Sequence, residues 1–277
     1  MALEEIKARE KQYHERFRTS SRPLPPIDVD WVRRELLRPI GAGGNDRYND
    51  TRVEFHKLLE TEKVFPAGTV LDYGCGTGTM SVYYCLRGAA RVMGLDIDEV
   101  GVRRGMERVR AQGFQDTIQL LCGDASDLPF PSGSFDLVIG HGVLHHVIKY
   151  PRVFDELYRV MAPRSRGYFL ENLADNPLFK LWWTLKGEIE EGDVPIFASE
   201  VRRLAKDFDR VEITGFDLLH SATTFVFKQP MSPWRRAVLR STKAADEFAF
   251  RHLPVLRRWG AASIIKLEKH GGAAQPA

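Results

Sequence analysis

The chain is poor in cysteine, in net charge and in long apolar runs, and each shortage excludes a class of protein. Its 277 residues include three cysteines, Cys75, Cys85 and Cys122, an odd number without Cys-x-x-Cys pairs or metal-ligand spacing. Free thiols are therefore expected, not a disulfide framework or a zinc site. No run of about 18 apolar residues is present, which excludes a membrane-spanning helix. A formal net charge of +3 is too small to indicate a nucleic-acid-binding protein.

What the chain does contain is typical of a globular protein, with 43% hydrophobic and 28% charged residues. The opening stretch MALEEIKAREKQYHERF is charged throughout and lacks the apolar core of a secretory signal. Together with the free thiols, this predicts a cytoplasmic location. The sequence leaves the oligomeric state open, with a homodimer as one option.

The pattern of predicted elements changes near residue 66. Residues 1–65 have helical composition broken by a proline-rich and a glycine-rich segment, which predicts an N-terminal helical cap. Over residues 66–270, short apolar runs alternate with helical segments, which predicts an α/β domain with a parallel sheet covered on both faces. The predicted strands are 69–72, 91–95, 118–122, 135–139, 167–171, 210–220 and 263–269, and the predicted helices between them are 79–87, 98–111 and 151–161.

Two irregular segments interrupt the later part of this domain. We expect insertions at about 172–205 and 221–262 to form the substrate pocket, and the tail 271–277 to be disordered. The second insertion carries a basic stretch, 234–258, with apolar residues at helical spacing. Such a stretch is either an interfacial helix that meets anionic lipid or phosphate, or a solvated face.

The stretch VLDYGCGTGTM places a glycine-rich turn directly after a predicted strand. Gly74, Gly76 and Gly78 follow the spacing GxGxG, and Thr79 stands where the third glycine of the dinucleotide motif GxGxxG would be. No lysine follows as in a phosphate-binding GxxxxGK[ST] loop. A strand that passes through glycines into a helix exposes backbone N–H groups to a ligand. The spacing disfavours a dinucleotide or a bare phosphate as that ligand.

Polar residues follow three further predicted strands. Asp96 ends the second strand, Asp124 follows the third, and His141, His145 and His146 follow the fourth in GHGVLHHV. Because the carboxyl ends of parallel strands meet at one edge of the sheet, these side chains are expected beside the glycine turn. An acid at the end of the second strand suits both hydroxyls of a ribose.

These motifs together resemble the class I S-adenosylmethionine-dependent methyltransferases, most clearly over about residues 68–172. VLDYGCGTG is similar to the family's first motif, GLDID to its ribose-binding acid and GDASDLPF to its adenine-contacting segment. The resemblance implies a Rossmann-like, seven-stranded, mostly parallel sheet with helices on both faces, an N-terminal helical lid and helical insertions after strands 5 and 6. It also implies S-adenosylmethionine as cofactor. One departure is MAPRSRGYF, where the family has a Lys-Pro-Gly-Gly turn before the fifth strand.

The resemblance also implies individual roles. Asp72 and the amides of Gly74, Gly76 and Gly78 would surround the methionine portion of the cofactor, and Asp96 would bind its ribose. Asp124 would contact the adenine amino group, Ala125 would supply an amide to the ring, and Ile97 would pack on an adenine face. The backbone of His141 would lie near the sulfonium.

Methyl transfer requires alignment of the acceptor and, where the acceptor is protonated, a base. Neutral imidazoles at the end of the fourth strand suit that task, so His145 and His141 are the predicted catalytic residues. His146 is expected to make a helix-start hydrogen bond. The loop GHGVLHHV contains no carboxylate, so no metal site is expected.

Aromatic residues outside the motifs are the predicted substrate contacts. Tyr13 and His14 lie on the N-terminal helix, which either closes over the site or stays a solvated helix. Trp182 and Trp183 form either the wall of an apolar pocket or core and dimer contacts.

We therefore predict a methyltransferase for a small, fairly hydrophobic acceptor, most simply an oxygen nucleophile in bacterial secondary metabolism, with nitrogen or carbon as alternatives. A prenyl diphosphate or lipid-linked acceptor is a second alternative. A nicotinamide-dependent oxidoreductase and a non-catalytic S-adenosylmethionine-binding regulator are alternatives of other classes. Nucleic acid is not an expected partner, because the chain has GHGV in place of the Asp/Asn-Pro-Pro-aromatic motif of DNA amino-methylating enzymes.

Overall fold

The computed structural model describes residues 5, 7–9, 11–12, 15, 24–35, 49–178, 181, 196–221, 223 and 232–271. The strands are β1 (Ala67–Tyr73), β2 (Ala89–Asp96), β3 (Ile118–Cys122), β4 (Phe135–His141), β5 (Met161–Asn172), β6 (Arg210–Phe216) and β7 (Ala262–Lys269). The helices are α1 (Val29–Glu35), α2 (Asn49–Thr61), α3 (Thr79–Leu86), α4 (Glu99–Ala111), α5 (Leu144–Val147), α6 (Val153–Val160), α7 (Ala198–Leu204) and α8 (Pro233–His252), and a 3₁₀ helix spans Pro254–Trp259.

The strands form one sheet in the order β3-β2-β1-β4-β5-β7-β6. Strands β1 to β5 pair in parallel, and β7 runs antiparallel to both of its neighbours, β5 and β6. This confirms the predicted seven-stranded, mostly parallel sheet. The order changes direction between β1 and β4, and the carboxyl ends of these two strands carry the glycine turn and His141, respectively.

Strand β1 shows why the sheet needs helices on both faces. Leu71 and Tyr73 pack into one buried cluster, whereas Val70 packs into the other. Successive side chains of a strand point to opposite faces, so a strand buried on both sides has an apolar run instead of an alternating pattern. The run VLDY is of this kind, and it places Asp72 on the same face as Val70.

Strand β5 begins earlier than the sequence suggests. The strand predicted over 167–171 is longer than expected, because β5 starts at Met161, which pairs with Phe135 of β4. The register then shifts, so that Leu137 pairs with Arg166, and Arg164 within the irregular part has a φ of 64°. The extra residues are accommodated as a bulge in the strand.

One leucine of β3 occupies the space that three glycines leave open. A Cβ added at Gly78, Gly94 or Gly105 would lie 2.5–2.6 Å from a methyl carbon of Leu120. The glycines belong to the turn after β1, to β2 and to α4, so these elements all approach the same side chain. Glycine at these positions therefore permits the close packing of the turn, the strand and the helix.

The N-terminal segment packs on the face of the sheet that α3 also covers. Ile27 is buried, and its backbone exchanges two hydrogen bonds with the side-chain amide of Gln112, at 3.0 and 2.7 Å. Helix α2 buries Phe55 completely and contacts β5 and β7. None of the helices in the described ranges is both long enough and apolar enough to cross a membrane.

Helix α7 lies within the range 172–205 that was expected to form an insertion. Its Val201 is fully buried in the cluster that contains Leu71 and Phe169. The helix therefore covers the sheet before β6, and the described part of this range contributes to the domain core. The predicted domain boundaries themselves stay predictions.

Candidate functional site

The glycine turn after β1 has the backbone that its sequence requires. Gly74, Gly76 and Gly78 have φ values of 77°, 54° and 67°, in the left-handed region that favours glycine. A Cβ at Gly74 would also lie 2.7 Å from a methyl carbon of Val143. The turn is anchored to β2, because the backbone N–H groups of Gly74 and Cys75 both donate to the carbonyl oxygen of Leu95, at 2.9 and 3.1 Å.

Asp96 fixes the turn from the end of β2. One of its carboxylate oxygens accepts from the backbone N–H of Gly76 at 2.7 Å, and the other accepts from Asp98 N–H at 2.9 Å. The residue is only half-buried and borders the cavity beside the turn. Each carboxylate oxygen has a further lone pair, so the group can still accept hydrogen bonds from a ligand.

Asp72 lies behind the turn and outside the lining of that cavity. It is 2% exposed, and its carboxylate accepts a hydrogen bond of 2.5 Å from the Ser81 hydroxyl of α3. Burial, opposed by the hydrogen bonds from Ser81, raises the pKa of Asp72 to about 7. In this position it supports the start of α3, and a direct contact with the methionine portion stays a prediction.

A cavity of about 130 Å³ opens at the carboxyl ends of β1, β2 and β4. Of the predicted cofactor-binding residues, it brings together Gly74, Asp96, Ile97, Asp124, Ala125 and His141. Gly76 and Gly78 lie in the turn beside it without lining it. Residues that the sequence analysis did not assign to the cofactor also line it, namely Leu95, Gly123, Gly142, Val143, His146, Val147 and Tyr150.

The loop after β3 forms one end of the cavity. Asp124 accepts two hydrogen bonds of 2.8 Å from the backbone and hydroxyl of Ser126, and its other oxygen binds the Lys7 ammonium. The pKa of Asp124 is lowered overall. Burial alone would raise it, but the hydrogen bonds from Lys7 and Ser126 outweigh the effect of burial. The buried Tyr73 donates its hydroxyl to the carbonyl of Ala125 at 2.9 Å and so fixes the loop.

Lys7 brings the N-terminal segment to this end of the cavity. Its ammonium also lies 5.3 Å from the centre of the Tyr150 ring, which lines the cavity. Lys11 pairs with Glu99 at the start of α4, at 3.3 Å. The described N-terminal residues therefore lie against the loops that follow β2, β3 and β4.

His141 ends β4 with its imidazole enclosed by aromatic side chains. Its ring centre lies 4.8 Å from that of Phe55 and 6.0 Å from that of His56, and Nδ1 is 3.2 Å from the Tyr84 hydroxyl. Nε2 is buried and has no hydrogen-bond partner among the described residues. Burial, with the nearby His56 and Arg52, lowers the pKa of His141 well below its usual value. This imidazole is therefore neutral at pH 7 and weakly basic.

His145 forms a pair with a carboxylate of β5. Its Nδ1 lies 2.8 Å from one oxygen of Glu171, which is 2% exposed, and the other oxygen accepts from the backbone N–H groups of Val143 and Leu144 at 2.8 and 2.7 Å. Three donated hydrogen bonds suit an ionised carboxylate, which can only accept. Nδ1 of His145 is therefore the donor to Glu171, and in the neutral imidazole Nε2 is then the nitrogen without a proton.

His145 stands directly behind residues that line the cavity. Its Cε1 would be 3.6 Å from a Cβ added at Gly142, and its ring centre lies 4.0 Å from that of His146. The backbone N–H of His146 donates to the carbonyl of Val143 at 3.1 Å, as the backbone of any residue could there, so the expected helix-start hydrogen bond of its side chain stays a prediction. Its side chain nevertheless lines the cavity.

The predicted substrate residues Tyr13, His14, Trp182 and Trp183 lie outside the described residues. Glu171 was not among the predicted site residues, although it binds His145 at 2.8 Å; an acid at the carboxyl end of a buried parallel strand was the available signal. The described residues contain no group of three His, Cys, Asp or Glu side chains placed to hold a metal ion.

The site fits S-adenosylmethionine in two respects. The turn after β1 brings backbone close to the cavity without side chains, and Asp96 can accept from ribose hydroxyls. This sheet order and this site define the class I S-adenosylmethionine-dependent methyltransferases.

Comparison with known proteins agrees with that class. Residues 71–169 match the family model described as "Methyltransferase domain". Over these residues the chain is similar to the S-adenosylmethionine-dependent methyltransferases, and S-adenosylmethionine is the cofactor that this similarity indicates.

Two curated relatives show how far the similarity extends. A demethylmenaquinone methyltransferase from Symbiobacterium thermophilum is 38% identical over 157 residues, which cover 54% of this chain and 62% of the relative. A sterol 24-C-methyltransferase from Gibberella zeae is 26% identical over 183 residues, covering 65% of this chain and 47% of the relative. The chain thus spans less than two thirds of the length of these relatives.

A solved structure shows the same fold over nearly the whole chain. The geranyl diphosphate C-methyltransferase from Streptomyces coelicolor, in complex with Mg²⁺, geranyl diphosphate and S-adenosylhomocysteine, aligns with a TM-score of 0.55 and 15% identity. The alignment covers 95% of this chain and 98% of that one. At this identity the likeness concerns the fold alone.

Proposed function

We propose that the chain transfers a methyl group from S-adenosylmethionine to a small, fairly hydrophobic acceptor. The observation that carries this proposal is the His145–Glu171 pair beside the cofactor cavity, at 2.8 Å. We further propose oxygen as the nucleophile, because a hydroxyl must lose its proton during transfer and the pair provides an oriented base. A role in natural product biosynthesis is consistent with such an acceptor.

The bound cofactor supplies a methyl group on a sulfonium, which is already activated for in-line displacement. The protein's own residues then have two tasks, alignment of the acceptor and removal of its proton. Glu171 holds the imidazole of His145 in the tautomer whose Nε2 accepts a proton. His141 has a depressed pKa and an enclosed ring, which suit a neutral wall of the cavity better than a base.

The relatives' names support an apolar acceptor. One acts on demethylmenaquinone and another on a sterol, both of them hydrophobic isoprenoid-derived molecules. A lipid-linked or prenyl diphosphate acceptor is therefore a second candidate, and the arginine-rich helix α8 favours it.

We propose that the N-terminal helix acts as a lid over the cofactor. The contacts of Lys7 with Asp124 and Tyr150 support this, because both partners line the cavity. Lys7→Ala should raise the rate of cofactor exchange, whereas an unchanged rate in stopped-flow measurements would contradict the lid.

The test of the function is a transfer assay with the full chain and S-adenosylmethionine labelled in the methyl group. The acceptors are demethylated naphthoquinones, sterols, hydrophobic phenols and prenyl diphosphates, and product is detected by mass spectrometry. Labelled product from one acceptor class is the expected result. Cofactor binding without product from any class would favour the non-catalytic regulator instead.

Glu171→Gln tests the assigned base. The amide can still accept the two backbone N–H bonds through its oxygen, but its NH₂ group then faces Nδ1 of His145 and reverses the tautomer. We expect kcat to fall by about 100-fold, in the range for loss of general-base catalysis, with unchanged affinity for S-adenosylhomocysteine.

His145→Ala should match this loss, and the double variant should lose no more than either single variant because the two residues act as a unit. Equal losses of turnover and of cofactor affinity would show that the pair is structural. A transfer rate that does not change in Glu171→Gln would refute the base.

A further inference from the structure

Helix α8 and the 3₁₀ helix that follows it carry an exposed apolar surface. Trp234, Phe248, Leu253 and Val255 are 59%, 65%, 57% and 59% exposed, respectively. Phe248, Leu253 and Val255 are close in sequence, whereas Trp234 lies about 21 Å from Phe248 along α8. Exposed large apolar side chains that are grouped mark interaction sites. We call these four residues the α8 apolar surface.

The helical geometry places this surface opposite the face that packs on the protein. Trp234 and Phe248 are fourteen residues apart, which corresponds to about 40° around a helix with 100° per residue. The buried residues Leu239, Asp246 and Phe250 lie on the other side. The helix therefore has two apolar faces, one of which contacts the domain while the other is open to solvent.

Positive charge accompanies the α8 apolar surface. Residues 233–259 contain seven arginines and lysines against two acids, a net charge of +5, whereas the whole chain carries +3. The rest of the chain is therefore net negative, at −2 by difference. Of the two acids, Asp246 is buried, whereas Glu247 is exposed and by helical geometry lies beside Arg240 and Arg251, so the exposed charge of this segment is mainly positive.

Two of these cations bind acceptors within the described part of the domain. Lys243 pairs with Asp217 at 3.1 Å, and Arg257 donates to the carbonyl of Gly215 at 3.2 Å. Arg240 and Arg251 are exposed, and by helical geometry they lie together along one edge of the apolar stripe. Exposed aromatic residues with arginines along their border are the pattern of a helix that lies in a lipid interface.

The α8 apolar surface is linked to the edge of the sheet that holds the cofactor cavity. Asp246 accepts hydrogen bonds from the backbone of Leu219 and His220, which follow β6 at its carboxyl end. Thr51 of α2 bonds to Asp217 in the same segment at 2.8 Å, and Phe55 of that helix contacts His141. A molecule leaving a bilayer at α8 would thus meet the same edge of the sheet that carries the cavity.

We propose that the α8 apolar surface docks the protein on membranes that contain anionic lipids, with Trp234, Phe248, Leu253 and Val255 entering the interface and Arg240 and Arg251 meeting the headgroups. Charge complementarity argues for this occupant, because an anionic bilayer offers acyl chains to the apolar stripe and phosphate groups to the arginines beside it. The docking is peripheral. It goes beyond the proposed function, and its test needs neither cofactor nor acceptor.

The experiment is co-sedimentation of the full chain with large unilamellar vesicles. We expect at least about tenfold more binding to vesicles of phosphatidylglycerol and phosphatidylcholine than to phosphatidylcholine alone, decreasing as salt rises because headgroup attraction is screened. Phe248→Ser/Leu253→Ser should reduce binding to both vesicle types. Arg240→Gln/Arg251→Gln should remove mainly the preference for anionic lipid.

The matched control is Phe197→Ser, which removes a large apolar side chain that is 39% exposed at the start of α7. This variant should bind vesicles as the parent chain does. Each variant is compared with the parent only if their thermal unfolding midpoints are equal. Val255→Ser replaces any apolar-to-serine variant that does not meet this condition. Equal binding to both vesicle types, or binding that survives Phe248→Ser/Leu253→Ser, would overturn the proposal. The proposal would also be overturned if the parent chain did not bind vesicles but formed a dimer in analytical ultracentrifugation, and if Phe248→Ser/Leu253→Ser dissociated that dimer. Transfer to a water-soluble acceptor should be unchanged in Phe248→Ser/Leu253→Ser, which keeps this test separate from that of the function.

Discussion

Replacing Asp96 with alanine should weaken cofactor binding and loosen the glycine turn at the same time. The carboxylate already accepts from Gly76 and Asp98 and is predicted to accept from two ribose hydroxyls. A hydrogen bond to a charged group contributes about 1.5–3 kcal/mol. The lower value applies because Asp96 is only half-buried and its oxygens are shared with backbone donors. Two such bonds give about 3 kcal/mol, or roughly a 100-fold higher Kd.

Isothermal titration calorimetry with S-adenosylhomocysteine measures this change, and urea unfolding measures the accompanying loss of stability. The loss of the acceptor for Gly76 and Asp98 should cost about 1–3 kcal/mol of unfolding free energy. Asp136→Ala is the matched control, because Asp136 also accepts a backbone hydrogen bond, from Thr69 at 2.8 Å, at the opposite edge of the sheet. A folded Asp96→Ala variant whose Kd changes less than about threefold would refute the ribose assignment, since 3 kcal/mol corresponds to far more.

Two further predictions concern the turn and its support. Gly78→Ala should lower the unfolding free energy by about 1–3 kcal/mol and weaken cofactor binding. The reason is that φ of Gly78 is 67° and the new Cβ would lie 2.6 Å from a methyl carbon of Leu120. Unchanged urea unfolding would contradict this prediction. Asp72 has a folded-state pKa of about 7 against a usual 3.8, so its contribution is fully present below about pH 4 and is lost as the pH rises through about 7. This loss of unfolding free energy is at most about 4 kcal/mol. In Asp72→Asn, the unfolding free energy should therefore fall less between pH 4 and pH 7 than in the parent chain. The same slope in the variant and the parent would show that another group titrates there.

The sheet could be predicted from the sequence because its signals are local. Alternation of apolar runs with helical segments and the glycines after β1 each lie within a few residues, and they identified all seven strands. The early start of β5 could not be found in this way. Its residues include Arg164 and Ser165, which favour a turn locally, whereas Ser165 is buried by pairing with Lys269 of β7.

The site was predicted in part for the same reason. Asp96, Asp124 and His141 follow strands directly, so the topology brings them to one edge. The role of Glu171 depends on contacts with residues 143–145, which lie 26 to 28 positions away in sequence. The position of Asp72 follows from strand alternation, since it shares a face with Val70 and therefore points toward α3.

The contact of Leu120 with three glycines has a consequence for how this domain can vary. Positions 78, 94, 105 and 120 share one volume, so a change at any of them alters the room available to the other three. A larger side chain at position 120, as in Leu120→Phe, would clash with the turn after β1, with β2 and with α4. In a set of homologous chains, these four positions should therefore covary as one group, and the size of the residue at 120 should set how many of the other three remain glycine.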